Sequence, residues 1–456
     1  MKNYIKILPL LLILWSCEDF TEVGLPADQV TRDLVFRDDA LASSAMAGVY
    51  RGLEASGFLS GGSSGWSLYM GCYTDELVSY AAATADTSSF YLLTHNAASS
   101  RVYSIWSATY KQIYNVNSMI EGLQASSMLT SGVKDKLLGE SLFIRALLHL
   151  YLMKTFGAVP YVATTDYEIN QSIARKSPQE VYQLAHADLL LALEKLPVAY
   201  AKGLRIRPSK GTAKALLARI AYEQKNWDEA VAYASEVISD PQYPMETLVE
   251  KTFLKESSSA LWQLMPYEPT YNALEGNYYI LKTAPPPTVA FSSGFMNGFE
   301  TGDARQSKWI GEIKDTGQVT YYYPFKYKQQ TNTAATLEYS VIMRIEELYL
   351  IRAEAFIENG QTALGLADLN KLRNRAGLPS VTGTDKAFLL EALLKERRYE
   401  FFTEWGQRFY DLKHFGKLDQ KMLPVKPSWK NTYGLLPIPE KELLINPALN
   451  PQNNGY

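Results

Sequence analysis

The chain has 456 residues, 47% of them apolar and 20% charged, with a formal net charge of −3. This is a globular balance, long enough for one large domain or two to three ordinary ones, and it excludes a disordered protein. It also excludes a global basic field of the kind that holds nucleic acid, so no nucleic-acid partner is expected. Two cysteines, Cys17 and Cys72, exclude a disulfide-stapled scaffold and a Cys/His zinc site. The four histidines, His95, His149, His186 and His414, are too scattered to form a metal motif.

Lys2 and Lys6 precede an apolar run from Ile7 to Trp15, too short to span a bilayer but of signal-peptide length. Leu14-Trp15-Ser16-Cys17 then resembles a bacterial lipobox, although tryptophan is untypical within it. Residues 1–16 are read as a lipoprotein signal peptide, and Cys17 as the residue that carries lipid. Several acyl chains hold stably to a membrane where one does not. Glu18-Asp19 looks like the acidic signal that sends some Bacteroidota lipoproteins to the cell surface. Residues 17–37 read as a lipid-anchored tether, and no later segment is apolar enough to cross a membrane. Cys72 is left as an unpaired thiol, expected to be buried.

From Asp38, a capping residue, helical spacing of apolar residues runs to Ala55. GFLSGGSSGW, residues 57–66, predicts a loop. Helices follow at about 102–125 and 134–156; the second is apolar nearly all round, hence packed on more than one side. Ser177-Pro178 predicts a helix start and Leu196-Pro197 its end. Residues 207–238 read as a helical hairpin turning at Lys225-Asn226, with Ala218, Ala221, Ala230, Ala234 and Val237 at the close contact. Residues 346–377 repeat the design, turning at Asn359-Gly360. Two hairpins of one kind predict a helical-repeat scaffold. Between them, about 240–340 is rich in Pro, Gly, Tyr and Asn, too long for a plain connector, with short strands predicted at 259–265 and 319–327. One strong helix is predicted from about 386 to Gly416, then an irregular tail. The expectation is a mainly α protein, a single domain over 38–456.

Catalytic motifs are sparse. Gly61-Gly62-Ser63-Ser64-Gly65 satisfies G-x-S-x-G by letter, but a nucleophile elbow needs a preceding strand. The 48 acidic residues single out no facing pair for glycoside hydrolysis. There is no Walker loop or dinucleotide fingerprint, so neither an enzyme nor a cofactor is expected. What remains is aromatic: 31 tyrosines and eight tryptophans. Rigid aromatic planes flanked by amides and carboxylates suit sugar rings, which offer apolar C–H faces and a rim of hydroxyls. Two stretches provide them, 66–91 and 267–282, and the candidate ligand residues are Trp66, Tyr69, Tyr271, Asn272 and Tyr278. Packing is the competing use of every such ring. Glu396, Arg397, Arg398, Glu400 and Arg408, spaced three and four apart, read as a structural cluster. Asp303 and Arg305 read as a salt-bridged turn.

ERRYEFFTEWGQRFYDLKHFG (396–416), the ending YGLLPIPEKELLINPALNPQNNGY, RAEAFIENGQTALGLADLNKLRNRAGLP and FIRALLHLYLMKTFGAVPYV resemble, in order, the sequence blocks of the SusD/RagB family of surface lipoproteins. The resemblance covers essentially the whole mature chain. It implies four tetratricopeptide-like helix pairs as scaffold and an irregular ligand-binding region with a few short strands. It also implies a non-catalytic lid, anchored at the outer membrane, that captures oligosaccharides for a SusC-like TonB-dependent transporter. The RagB branch leaves peptides open as the alternative cargo.

Overall fold

The computed structural model describes residues 32–200 and 203–456. Cys17, Glu18-Asp19 and the apolar leader lie outside the described residues. The fold begins slightly before Asp38. Arg32–Val35 is a helical turn, and Phe36 is buried against Gly122, whose missing side chain leaves room for the ring.

Helix starts follow local chemistry. Asp38 accepts from the amides of Ala40 and Leu41 at 2.9 Å and caps Asp39–Ala55. Ser177 and Glu180 form a reciprocal capping box, with Pro178 in the first turn of Pro178–Lys195. Ser131–Phe156 packs on Ser100–Ala125 on one side and on Pro178–Lys195 on another, and from Leu137 onward nearly every residue is buried. The hairpins form as expected: Lys210–Glu223 with Trp227–Ile238, and Ile345–Glu358 with Thr362–Arg375. Their turns use left-handed backbone at Lys225 and Gly360. Gly365 lets the second hairpin close, because a Cβ there would meet the Ala353 carbonyl at 2.6 Å. Trp227–Ile238 packs directly on Ile345–Glu358. The hundred residues between them therefore leave the scaffold and return to it.

That excursion supplies most of the strands. Among the described residues three two-stranded antiparallel sheets form: Leu77–Ser79 with Val289–Phe291, Ala260–Leu264 with Ser340–Arg344, and Ile310–Lys314 with Thr320–Pro324. The tail is less irregular than its Pro and Asn content suggests, with a short helix at Glu440–Ile445.

Two sequence expectations give way to tertiary contacts. The long final helix is broken into Lys386–Phe401 and Gln407–His414, with Thr403, Trp405 and Gly406 at positive φ. The break turns Glu404 toward Arg344 and Lys326, sends the Trp405 amide to Ser67 Oγ at 2.8 Å, and sends its indole N–H to the Val341 carbonyl at 2.9 Å. These bonds offset the backbone strain. The predicted loop at 57–66 ends early, because Trp66 opens a buried helix, Trp66–Tyr73. Cys72 lies in that helix as a free, buried thiol, its pKa pushed up to about 12 by burial.

Candidate functional site

The fold brings the two aromatic stretches together. Gly61 lies directly against the Glu275 carboxylate and Gly62 against Leu274, so the 60–66 loop packs on the helix Leu274–Tyr279. Only glycine permits that approach at 61, since a Cβ would fall 2.1 Å from the Glu275 side chain. Beside this seam lies an open tyrosine surface. Tyr267 is 49% exposed and Tyr271 38% exposed. Their rings meet edge to face at 6.1 Å, and the Arg51 guanidinium lies 4.2 Å over Tyr267. Tyr278 is half-buried, and its neighbour Asn277 is exposed and donates to the Gln330 carbonyl. A second pair, exposed Tyr80 with half-buried Tyr321, meets edge to face at 5.6 Å.

The five candidate residues divide by burial. Tyr271 and Tyr278 present ring surface. Trp66 does not: it is 0% exposed, in contact with Phe58 and Phe90, and its indole N–H donates to Tyr410 Oη at 2.9 Å. An amphipathic ring that finds a polar partner inside the fold gains more by burial than by exposure. Tyr69 is buried as well. Its hydroxyl donates to the Ser63 carbonyl at 2.7 Å, and Arg101, held by Asp86, lies 4.7 Å over its ring. Burial pushes the Tyr69 hydroxyl pKa up, with Arg101 opposing. Asn272 is 7% exposed and its amide is fully occupied. It donates to Thr333 Oγ1 and the Thr331 carbonyl and accepts from the amides of Leu337 and Glu338. It therefore positions Tyr271 and offers no free group to a ligand. Arg51 is the partner that sequence reasoning missed; it sits on a scaffold helix more than two hundred residues from the tyrosine it covers. The G-x-S-x-G segment follows the helix Asp39–Ala55 and not a strand, and Ser63 holds Tyr69 through its carbonyl.

The charged cluster of the last long helix lies inside the protein. Glu400 accepts from Arg344 and Arg375 at 2.5 Å and from Arg305 at 3.0 Å. Burial disfavours its charge, but the three arginines overcome this and hold it ionised, well below the usual carboxylate range. Arg305 binds Asp303 as expected but also reaches Glu396 at 2.6 Å, so the turn and the helix cluster are one network. Glu404 bridges Arg344 and Lys326. These groups hold the insert's strand ends against the scaffold, and their opposite charges are spent on one another.

Comparison with known proteins agrees with this architecture. The family model described as "Starch-binding associating with outer membrane" matches residues 64–222, and that described as "SusD family" matches 296–456; between them they span well over half of the chain. A SusD-like protein of Formosa agariphila is 22% identical over 418 residues, covering 77% of this chain and 79% of that one. A SusD-like protein of Bacteroides ovatus is 23% identical over 382 residues, covering 70% and 66%. Among solved structures, a SusD superfamily protein from Bacteroides vulgatus superposes with a TM-score of 0.80 at 21% identity, over 92% of this chain and 100% of that one. A laminarin-binding SusD-like protein superposes with a TM-score of 0.75 at 23% identity, over the same shares. On these matches the chain belongs to the SusD/RagB family.

Proposed function

We propose that this protein is a non-catalytic glycan-binding lipoprotein. It is anchored through lipid on Cys17 at the outer face of the outer membrane, and it passes oligosaccharides to a SusC-like TonB-dependent transporter as its lid. The observation that carries the reading is the exposed Tyr267–Tyr271 pair under Arg51. Two rings set edge to face offer one flat face and one edge to a chain of sugar rings, and Arg51 adds donors for hydroxyls. Tyr278 extends the surface, and Asn272, beside Tyr271, braces it through its hydrogen bonds. Laminarin binding by a solved relative favours a β-glucan as the first ligand to try.

The test is calorimetry of the chain starting after Cys17 against laminarin, a panel of plant, microbial and host polysaccharides, and a tryptic peptide mixture. Saturable heat with one glycan class is expected, weakened about tenfold or more by Tyr267→Ala or Tyr271→Ala, as loss of one stacking contact implies. Binding to peptides alone would sink the sugar reading in favour of a RagB-like cargo. Lipid labelling abolished by Cys17→Ser, with release of the protein from membranes, is the matching test of the anchor.

A further inference from the structure

A cavity of about 320 Å³ opens in the helical scaffold, and neither Tyr267 nor Tyr271 lines it. It is built by Ser131–Phe156, Pro178–Lys195, Lys210–Glu223, Ile345–Glu358, Lys386–Phe401 and Gln407–His414. None of these carries Tyr267, Tyr271 or Arg51. Its size lies at the lower end of small-molecule sites, roughly 300–1,000 Å³. Tyr182, Tyr222 and Tyr410 line it, and His414 stacks on Tyr222 at 4.0 Å.

The charges lining it do not cancel. Arg219 is matched by Glu347, and Arg397 by Asp411. Lys154 pairs with Glu223, whose other oxygen accepts from Tyr182. His414 pairs with Glu354, outside the lining. Among the described residues Lys413 is left over: its ammonium donates to the Lys154 carbonyl at 2.7 Å, and Glu223, the carboxylate that acts on it, is already paired with Lys154. Burial, and then Lys154, push the Lys413 pKa down to about 7, with Glu223 opposing. Arg397 is 2% exposed, and its Nε and Nη1 have no hydrogen-bond partner among the described residues. Lys413 is half-buried, so its unmatched charge is partly desolvated, and the buried guanidinium donors of Arg397 without acceptors are costly. One anion resolves both, because a carboxylate has two oxygens and one charge.

We propose that this cavity is a binding site for a small monocarboxylate, its anion taken up by Lys413 with Arg397 and its carbon body lying against Tyr182, Tyr222 and Tyr410. Two sources share that chemistry, a sugar acid and an aryl or apolar acid. Sodium glucuronate and sodium benzoate represent them, with glucose and benzyl alcohol as uncharged counterparts. Calorimetry of the whole chain after Cys17 at pH 6.5 should show saturable binding of at least one acid. Lys413→Met, which keeps the stem and removes the charge, should weaken it tenfold or more without lowering the melting temperature. Tyr271→Ala should leave it unchanged, which separates this site from the glycan surface. Glucuronate alone would mark a sugar acid, and benzoate alone an apolar one. Equal binding of the uncharged counterparts, acid binding that survives Lys413→Met or is lost in Tyr271→Ala, or no acid binding at millimolar concentration would each overturn the proposal.

Discussion

The network around Glu400 and the surface around Tyr271 use side chains in opposite ways. In the first, arginines and carboxylates are enclosed, and both oxygens of Glu400 are taken by arginines. In the second, rings are left partly uncovered while buried groups such as Asn272 and Tyr69 fix the backbone beneath them. Strong motif density thus marks where the chain must be held together, and the proposed ligand surface falls where the local sequence is loop-like. Buried ion pairs are intolerant of losing one member, whereas exposed rings can change with little effect on the fold.

That contrast can be broken at its strongest point by Glu400→Ala. Three buried arginines would lose a shared counter-charge, and destabilisation of about 3–5 kcal/mol is expected, read as a lower urea midpoint. A loss below about 1 kcal/mol would show that the network is not what locks the insert to the scaffold.

A smaller effect sharpens the boundary between the regions. Glu275 lies beneath the seam with Gly61, and burial raises its pKa from 4.5 to about 7, with the Ser340 hydroxyl, which donates to it, opposing. A carboxyl raised on folding binds more protons in the native state, so its contribution is full below the unfolded value and is lost as pH rises through the folded one. Between about pH 4.5 and 7 the wild type should therefore lose up to about 3 kcal/mol relative to Glu275→Gln. Parallel pH–stability curves for the two proteins would remove Glu275 from this role.

The smallest expected stability change is at the surface itself. Tyr267→Ala should alter folding by no more than about 0.5 kcal/mol while reducing glycan binding. Trp66→Ala, by contrast, empties a core site and should cost about 3–5 kcal/mol. Equal melting temperatures for these two variants would mean that the assignment of supporting and contacting rings is wrong.

Much of the frame was legible along the chain. Asp38 and Ser177 cap helices because short polar side chains reach unpaired amides one turn on, a local property. The hairpin turns at Lys225 and Gly360, the all-round burial of Ser131–Phe156 and the strand at 260–264 follow from spacing and turn residues. The candidate surface was legible only by region. Both aromatic stretches take part, yet three of the five residues singled out are buried, since letters do not record which face of a loop or helix meets solvent.

What the sequence by itself determined is therefore the helical-repeat frame, its hairpins and its irregular excursion, all written in periodicity, caps and turn residues that act within a few positions. Only the tertiary structure decided where the last helix breaks, which tyrosines stay uncovered and that Lys413 meets a carbonyl and no carboxylate of its own among the described residues. Each of these depends on groups brought together from distant parts of the chain: Glu404 with Arg344, Arg51 with Tyr267, Lys413 with Lys154. Hydrogen bonds and charges act over a few ångströms of space, and the chain order of their partners leaves no local trace.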